Sequence, residues 1–470
     1  MAWRETSPGK WQRPLGENER MIKWIGDRAY QNGREQWSIS VYGSLVLPRW
    51  VEQNHLVAKL RRAWMLLRFR HPSIAATAEA DILEYRIPDD ALLEDWADKT
   101  LRVISDPTIE ADGLISSLKP SPFTTAYFLT SNNTLVLHTG HWRTDGTGAF
   151  QLLNAFFEAL AFSEANDLKV AWGEETSKLT PAIEEALGLP KDPTEDIEAA
   201  SAACFATGAH VMGSVGLPYR KSAGITAENT RMFRRTLSED MTTSVLAACS
   251  KRNLKPSAAV HAALATANIL GSTSLSPAGH SARGDGHYTS TMRFNLRPYL
   301  NEQFSSDRYA AALASGNYMA RVDAGQSWDD KAVHYSSLYE AGLNESFLSA
   351  RRLFAARALD MMQKVAGGKQ GHQRSEVDIS IVEDVDELVV SHRRWESSAD
   401  DEESAVLEVK DVGLGIECLT PESYLVFWIF RGKLEFNMVY NEAFYHVDFM
   451  ENMLNSVVAA LVGQDGLQIG

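Results

Sequence analysis

Residues 135–156 read LVLHTGHWRTDGTGAFQLLNAF. An apolar run ends at Gly140-His141, a short polar step carries Asp145-Gly146, and Gly148 to Phe162 resumes with the periodicity of an amphipathic helix. Upstream, Phe123–Leu129 reads as a strand, Ser131-Asn132-Asn133 as a turn and Thr134–Thr139 as the partner strand. A hairpin therefore delivers His141 at a rigid strand end. An imidazole, with an unperturbed pKa of about 6.5, can take a proton from a hydroxyl or amine near neutral pH. Asp145 can hold the loop through an ion pair, and Gly146 leaves out a side chain where a ligand passes close. One base suffices for acyl transfer from a thioester, because the thiolate leaves without an enzyme nucleophile. The plainer alternative is a hydrogen-bonded structural histidine, and spacing alone does not decide between the two. As a metal set, His138, His141 and Asp145 are poor, since residues three apart on a strand face opposite sides, and no metal is expected.

Outward from this stretch, Trp37–Val46 alternates as a strand and Val51–Phe69 has helical spacing. Residues 71–77 start a further strand, and Leu92–Val103 reads as a short helix. Residues 1–36 read as polar and irregular, and 165–225, with four prolines and mixed charge, as a crossover. Downstream come a strand over Arg231–Leu237, a helix capped by Ser238 and an Ala-rich helix over Pro256–Ile269. A Gly/Ser-rich loop (272–287), a strand over Tyr288–Leu296 and helices near 328–342 and 346–365 follow. An acidic surface loop (396–404) precedes a hairpin of Tyr424–Phe430 and Leu434–Tyr440, and a helix near 447–462 ends at Gly463. No repeat of 20 to 50 residues is visible. The expected fold class is α/β with mixed sheets, divided into an N-terminal lobe (1–180), a crossover linker (181–225) and a C-terminal lobe (226–470).

The chain has 470 residues, 44% apolar and 23% charged, with a formal net charge of −15. That balance argues against nucleic acid or an anionic membrane as partner, since both need a basic face. Cys204, Cys249 and Cys418 are odd in number and far apart, which suggests neither a disulfide framework nor a C-x2-C metal site. No secretory h-region or membrane-length apolar run is present, so a cytoplasmic location is expected.

Other motifs carry less. GHSAR (279–283) approaches a G-x-S-x-G nucleophile elbow but has Arg283 where the second glycine belongs. No phosphate-binding glycine loop is found. His71, before Pro72, reads as a helix-end residue and His261, on the Ala-rich helix, as a core histidine. Trp37, Trp64, Trp142 and Trp428 are core by default, although Trp142, beside the candidate base, is also placed to line a pocket.

HWRTDG (141–146) resembles the His-x3-Asp-Gly motif of the chloramphenicol-acetyltransferase-like superfamily, which includes BAHD acyltransferases and peptide-synthetase condensation domains. LRRAWMLLRFRHPSIAA (60–76), FNLRPYL (294–300) and SGNYM (315–319) are similar, in order, to stretches of fungal trichothecene 15-O-acetyltransferase-like proteins. DVGLG (411–415) stands where BAHD enzymes carry Asp-Phe-Gly-Trp-Gly, with Val412 and Leu414 replacing the aromatics. Gly140 replaces the first histidine of the condensation-domain doublet. The resemblance spans roughly residues 37 to 460.

This resemblance implies two lobes with a channel between them, His141 in mid-channel as general base and Asp145 structural, paired with Arg297. Gly146 would leave room for substrate, and Trp142, Ser380, Asp411 and Gly413 would border it. The tract ISIVEDVDEL (379–388) has Val382-Glu383 where the family has a small pair. The implied activity is O-acyl transfer from acyl-CoA, a co-substrate rather than a resident cofactor, to a small secondary-metabolite hydroxyl. A carrier-protein donor stays open, as does use of the channel for binding, cyclisation or isomerisation without acyl transfer.

Overall fold

The computed structural model describes residues 2–30, 33–48, 51–162, 170–220, 225–273, 286–304, 307–366, 373–395 and 406–469. The GHSAR stretch and the acidic stretch 396–404 lie outside these residues. Two compact units emerge, and neither is a continuous half of the chain. The first comprises Met1–Leu189, Asn295–Ala314 and Val385–Glu417; the second Pro190–Phe294, Ser315–Asp384 and Cys418–Gly470. Residues 181–225, expected as a linker, divide between them. Ile183–Ala186 is a helical turn of the first unit, with Glu184 fully buried, and Glu195–Ala206 is a helix of the second.

The first unit is built on a six-stranded sheet in the order His392–Arg394, Val406–Ile416, Ile39–Val46, Thr134–Thr139, Thr125–Leu129, Leu101–Ile104. All pairs are antiparallel except the last, which is parallel. The helix expected over Leu92–Val103 stops at Thr100, and Leu101–Ile104 turns β because its β-branched residues extend the sheet edge. Helices Gln53–Arg70 and Gly146–Phe162 pack on one another, the second also on the strand Ile39–Val46. Trp64, Phe156 and Phe157 are fully buried there, and Trp64 stacks on Trp96 at 5.1 Å. Each such ring contributes about 1.5–3 kcal/mol.

The N-terminal residues are not irregular, contrary to expectation. Arg4–Ser7, Lys10–Pro14, Ile82–Arg86 and Thr77–Glu79 form a four-stranded antiparallel sheet, and Glu17–Asp27 is a helix. Its polar residues are buried because they are paired. Arg13, 3% exposed, donates from both terminal nitrogens to Glu19 at 2.7 Å, and Glu19 accepts the Gly16 N–H at 2.8 Å in a capping arrangement. Hydropathy cannot register such pairs.

In the second unit the four-stranded sheet runs Val377–Asp384, Ser423–Phe430, Lys433–Asn441, Thr230–Thr236, with the first pair parallel and the others antiparallel. The hairpin turn Arg431-Gly432 has φ of 51° and 69°, the double left-handed turn that matches strand twist. Ser238 caps the helix Glu239–Lys251. The helix Pro256–Thr273 buries Ala258, Ala259, Ala262 and Ala263, so Trp328–Ala341 and Val447–Val462 pack against a face of small residues. His261 is a satisfied core histidine, bonded to Tyr339 Oη at 2.9 Å and Ser290 Oγ at 2.7 Å and stacked on Tyr335. All three cysteines are buried and none forms a disulfide. No helix of the described residues is long and apolar enough to cross a membrane.

Candidate active site

The strand Thr134–Thr139 ends at Gly140, and His141–Arg143 forms one 3-10 turn before the helix Gly146–Phe162 begins. His141 is half-buried. Its Nδ1 lies 2.9 Å from the Thr144 carbonyl oxygen. A carbonyl only accepts, so Nδ1 carries the proton and the lone pair resides on Nε2. The ring is thereby held in the tautomer that a base requires.

Thr144 and Asp145 are fixed by the segment Arg297–Ala314, which belongs to the same unit although it lies some 150 residues along the chain. Asp145 Oδ1 accepts from the Gly148 N–H at 2.9 Å and from Arg297 Nη1 at 2.8 Å, and Oδ2 accepts the Ala314 N–H at 2.7 Å. The carboxylate thus caps the helix and binds a distant loop to it, with its charge matched by Arg297. The Thr144 hydroxyl donates to the Ala310 carbonyl at 2.8 Å. The glycine that close approach demands here is Gly148: a Cβ would fall 2.2 Å from Ala310 O and 2.7 Å from Arg297 Nη2. Gly146, the glycine of the motif, starts the helix.

On the opposite flank stands the turn Arg34–Ser38. Arg34 pairs with Glu417, Nη2 to Oε1 at 2.7 Å, and the Trp37 N–H donates to the Glu417 carbonyl at 2.9 Å. Trp37 has φ of 67°, which for a bulky residue costs about 1–2 kcal/mol. Its indole meets the His141 ring edge-on, centroids 6.5 Å apart. Glu35 is 3% exposed, and its Oε1 lies 2.6 Å from the point a Cβ on Gly140 would occupy. Burial pushes the Glu35 carboxyl up to about 7, against the pull of the Arg143 guanidinium. Arg143 is itself buried and lowered to about 10 by burial; it donates to the carbonyls of Ala76 at 2.6 Å and Pro122 at 2.5 Å and lies over the Trp142 ring at 4.0 Å.

The other expected site residues fall in three places. Trp142 is 6% exposed and packs with Leu15 and Leu83, so the ring beside His141 is that of Trp37. Asp411 and Gly413 lie on the strand Val406–Ile416, paired with Ser44 and Tyr42. The Tyr42 ring covers Gly413: a Cβ there would meet it at 2.3 Å. Ser380, half-buried, pairs with Val426 in the second unit. His138 is buried against Ser40 Oγ at 2.9 Å, and among the described residues no group of three or more His, Cys, Asp or Glu gathers as a metal site. Sequence reasoning missed Glu35, Trp37, Thr144 and Gly148. Of these, only Gly148 carried a signal, a second glycine two residues after the motif.

No family model matches the chain. Over its whole length, and 99% of the relative, it is 41% identical to the acetyltransferase pigO of Monascus ruber. It is 27% identical to the O-acetyltransferase pigM of the same organism, over 97% of this chain and 85% of that one. The TRI3 trichothecene 15-O-acetyltransferase from Fusarium sporotrichioides shares its fold, with a TM-score of 0.79 over 97% of this chain and 96% of that chain at 17% identity. The chain belongs to the chloramphenicol-acetyltransferase-like acyltransferases, in the family that includes the Monascus acetyltransferase pigO.

Proposed function

We propose that the protein transfers an acyl group, acetyl in the first instance, from acyl-CoA to a hydroxyl of a small secondary metabolite, with His141 as general base. The observation that carries this is the hydrogen bond from His141 Nδ1 to the Thr144 carbonyl, which puts the lone pair of the ring on Nε2. Nε2 removes that proton as the oxygen attacks the thioester carbonyl. The tetrahedral intermediate collapses to ester and thiolate, and the imidazolium returns the proton to the sulfur. Asp145 and Arg297 keep the turn in register without touching the reacting atoms. The relatives named acetyltransferase and O-acetyltransferase support the acetyl donor and the oxygen acceptor. Three buried cysteines without a disulfide agree with a reducing compartment such as the cytoplasm.

The test is release of free thiol from acetyl-CoA in the presence of candidate polyketide and terpenoid alcohols, with ester product identified by mass. Acetylation that depends on His141 supports the proposal. Transfer only from an acyl-carrier protein would reassign the donor. A metabolite altered without thiol release would replace acyl transfer altogether.

A further inference from the structure

The carboxyl of Glu35 occupies a niche between two glycines. Oε1 lies 2.6 Å from the would-be Cβ of Gly140 and 3.2 Å from that of Gly26, on the helix Glu17–Asp27. That helix packs directly on the His141–Arg143 turn. A Cβ on Gly140 would displace the carboxyl and one on Gly26 would crowd it, so the backbone on both sides leaves room for it beside Gly140.

The charges that face this niche come from three places. The helix supplies Lys23 and Asp27, which pair with each other at 2.6 Å. Tyr30, just beyond it, has its hydroxyl pushed upward first by burial and then by Glu35. The turn supplies Arg143, whose bonded acceptors are neutral carbonyls. Arg34, on the Glu35 segment itself, is occupied by Glu417, and Glu19, also near Arg143, by Arg13. The largest influence that keeps Arg143 charged is Glu35.

A buried guanidinium two residues from His141 opposes formation of a second cation there. Acyl transfer needs that second cation, because the imidazole becomes imidazolium as it accepts the proton. We propose that Glu35 is a positioning residue for the transfer reaction: its carboxylate, seated against Gly140, offsets the Arg143 charge and so permits the His141 imidazolium to form. This rests on His141 being the base. The competent state has then lost two protons, one from Glu35 to solvent and one from the imidazolium. Burial pushes the Glu35 carboxyl up to about 7, so the loss of its proton falls in the working range.

The experiment is the pH profile of kcat/KM for thiol release by wild type, Glu35→Gln, Glu35→Asp and His141→Ala. Wild type is expected to rise about one log unit further between the acid side and pH 8 than Glu35→Gln, because a protonated carboxyl and an amide carry the same charge and the two profiles converge at low pH. At pH 8 Glu35→Gln should show kcat lowered about tenfold with KM values little changed, the effect of roughly one pKa unit of differential charge interaction. Glu35→Asp should restore the steeper limb. Profiles of wild type and Glu35→Gln that run parallel down to low pH, or a Glu35→Gln variant with the wild-type profile and kcat, overturn the proposal. Full activity in His141→Ala removes the base and this proposal with it. An inactive His141→Ala beside a Glu35→Gln enzyme that behaves as wild type removes the role of Glu35 alone.

Discussion

Two buried carboxyl groups flank the His141 turn, and they are treated in opposite ways. Asp145 receives the N–H groups of Gly148 and Ala314 and the guanidinium of Arg297, so its negative charge is fully accommodated. Glu35 lies in a niche of glycine backbone, where burial outweighs the pull of Arg143 and carries it up to about 7. Burial alone does not determine how a carboxyl behaves; the donors placed around it do. One flank is a fixed anchor, the other a group that changes charge near neutrality.

The largest expected effect lies between the two. His141→Ala should lower kcat by about 10²–10⁴-fold with an unchanged thermal midpoint; a variant with near-wild-type turnover would leave neither flank anything to support. Next, Asp145→Ala should cost about 3 kcal/mol in denaturant unfolding, because the helix loses its cap, the Ala314 N–H its acceptor and the largely buried Arg297 its charge partner. A loss confined to rate would show that the anchor is part of the chemistry.

Glu35 carries the third prediction, where sign matters. Below about pH 4.5 the group is protonated in folded and unfolded chains alike, and its contribution to stability is complete. Between there and about 7 the unfolded chain gives up the proton while the folded one keeps it, so stability falls by roughly 3 kcal/mol and then levels off. Glu35→Gln should flatten that decline, measured as unfolding free energy at pH 4.5 and pH 8; an unchanged slope would make the two carboxyls alike. Glu184 follows the same sign: burial raises it to about 7 although it accepts the Asn18 N–H at 2.8 Å, so Glu184→Gln should flatten a second part of the curve. The smallest effect belongs to Gly413→Ala, which forces the Tyr42 ring aside at about 1–3 kcal/mol. A larger loss of activity than of stability there would return Gly413 to the substrate.

The Asp145 flank was legible in the sequence, and the Glu35 flank was not. The hairpin, the histidine at its end and the following helix follow from alternation, turn residues and helical spacing within about forty residues. The pairing of Asp145 with Arg297 came from resemblance, and the geometry agrees with it. Residues 1–36 looked irregular because their buried polar groups include Arg13, Asn18, Glu19 and Glu35, which pair with one another, with Glu184 or against glycine backbone, and hydropathy registers none of these contacts. Trp142 was named for its position beside His141, yet a 3-10 turn sends adjacent side chains in different directions, and Trp37 takes the place next to the imidazole. The motif drew attention to Gly146 as room for substrate; the close approach of backbone at Gly148 depends on Ala310 and Arg297, far along the chain, as well as on Thr144.

The three cysteines acquire a use from their seclusion. Burial pushes Cys204 and Cys249 up to about 11, and Cys418 has no exposed surface. At pH 8 the native chain is therefore silent toward electrophilic dyes that seek thiolates. Under the proposed reaction, colour that develops with turnover counts the thiol set free, and colour that develops without substrate clocks how often a molecule opens its interior.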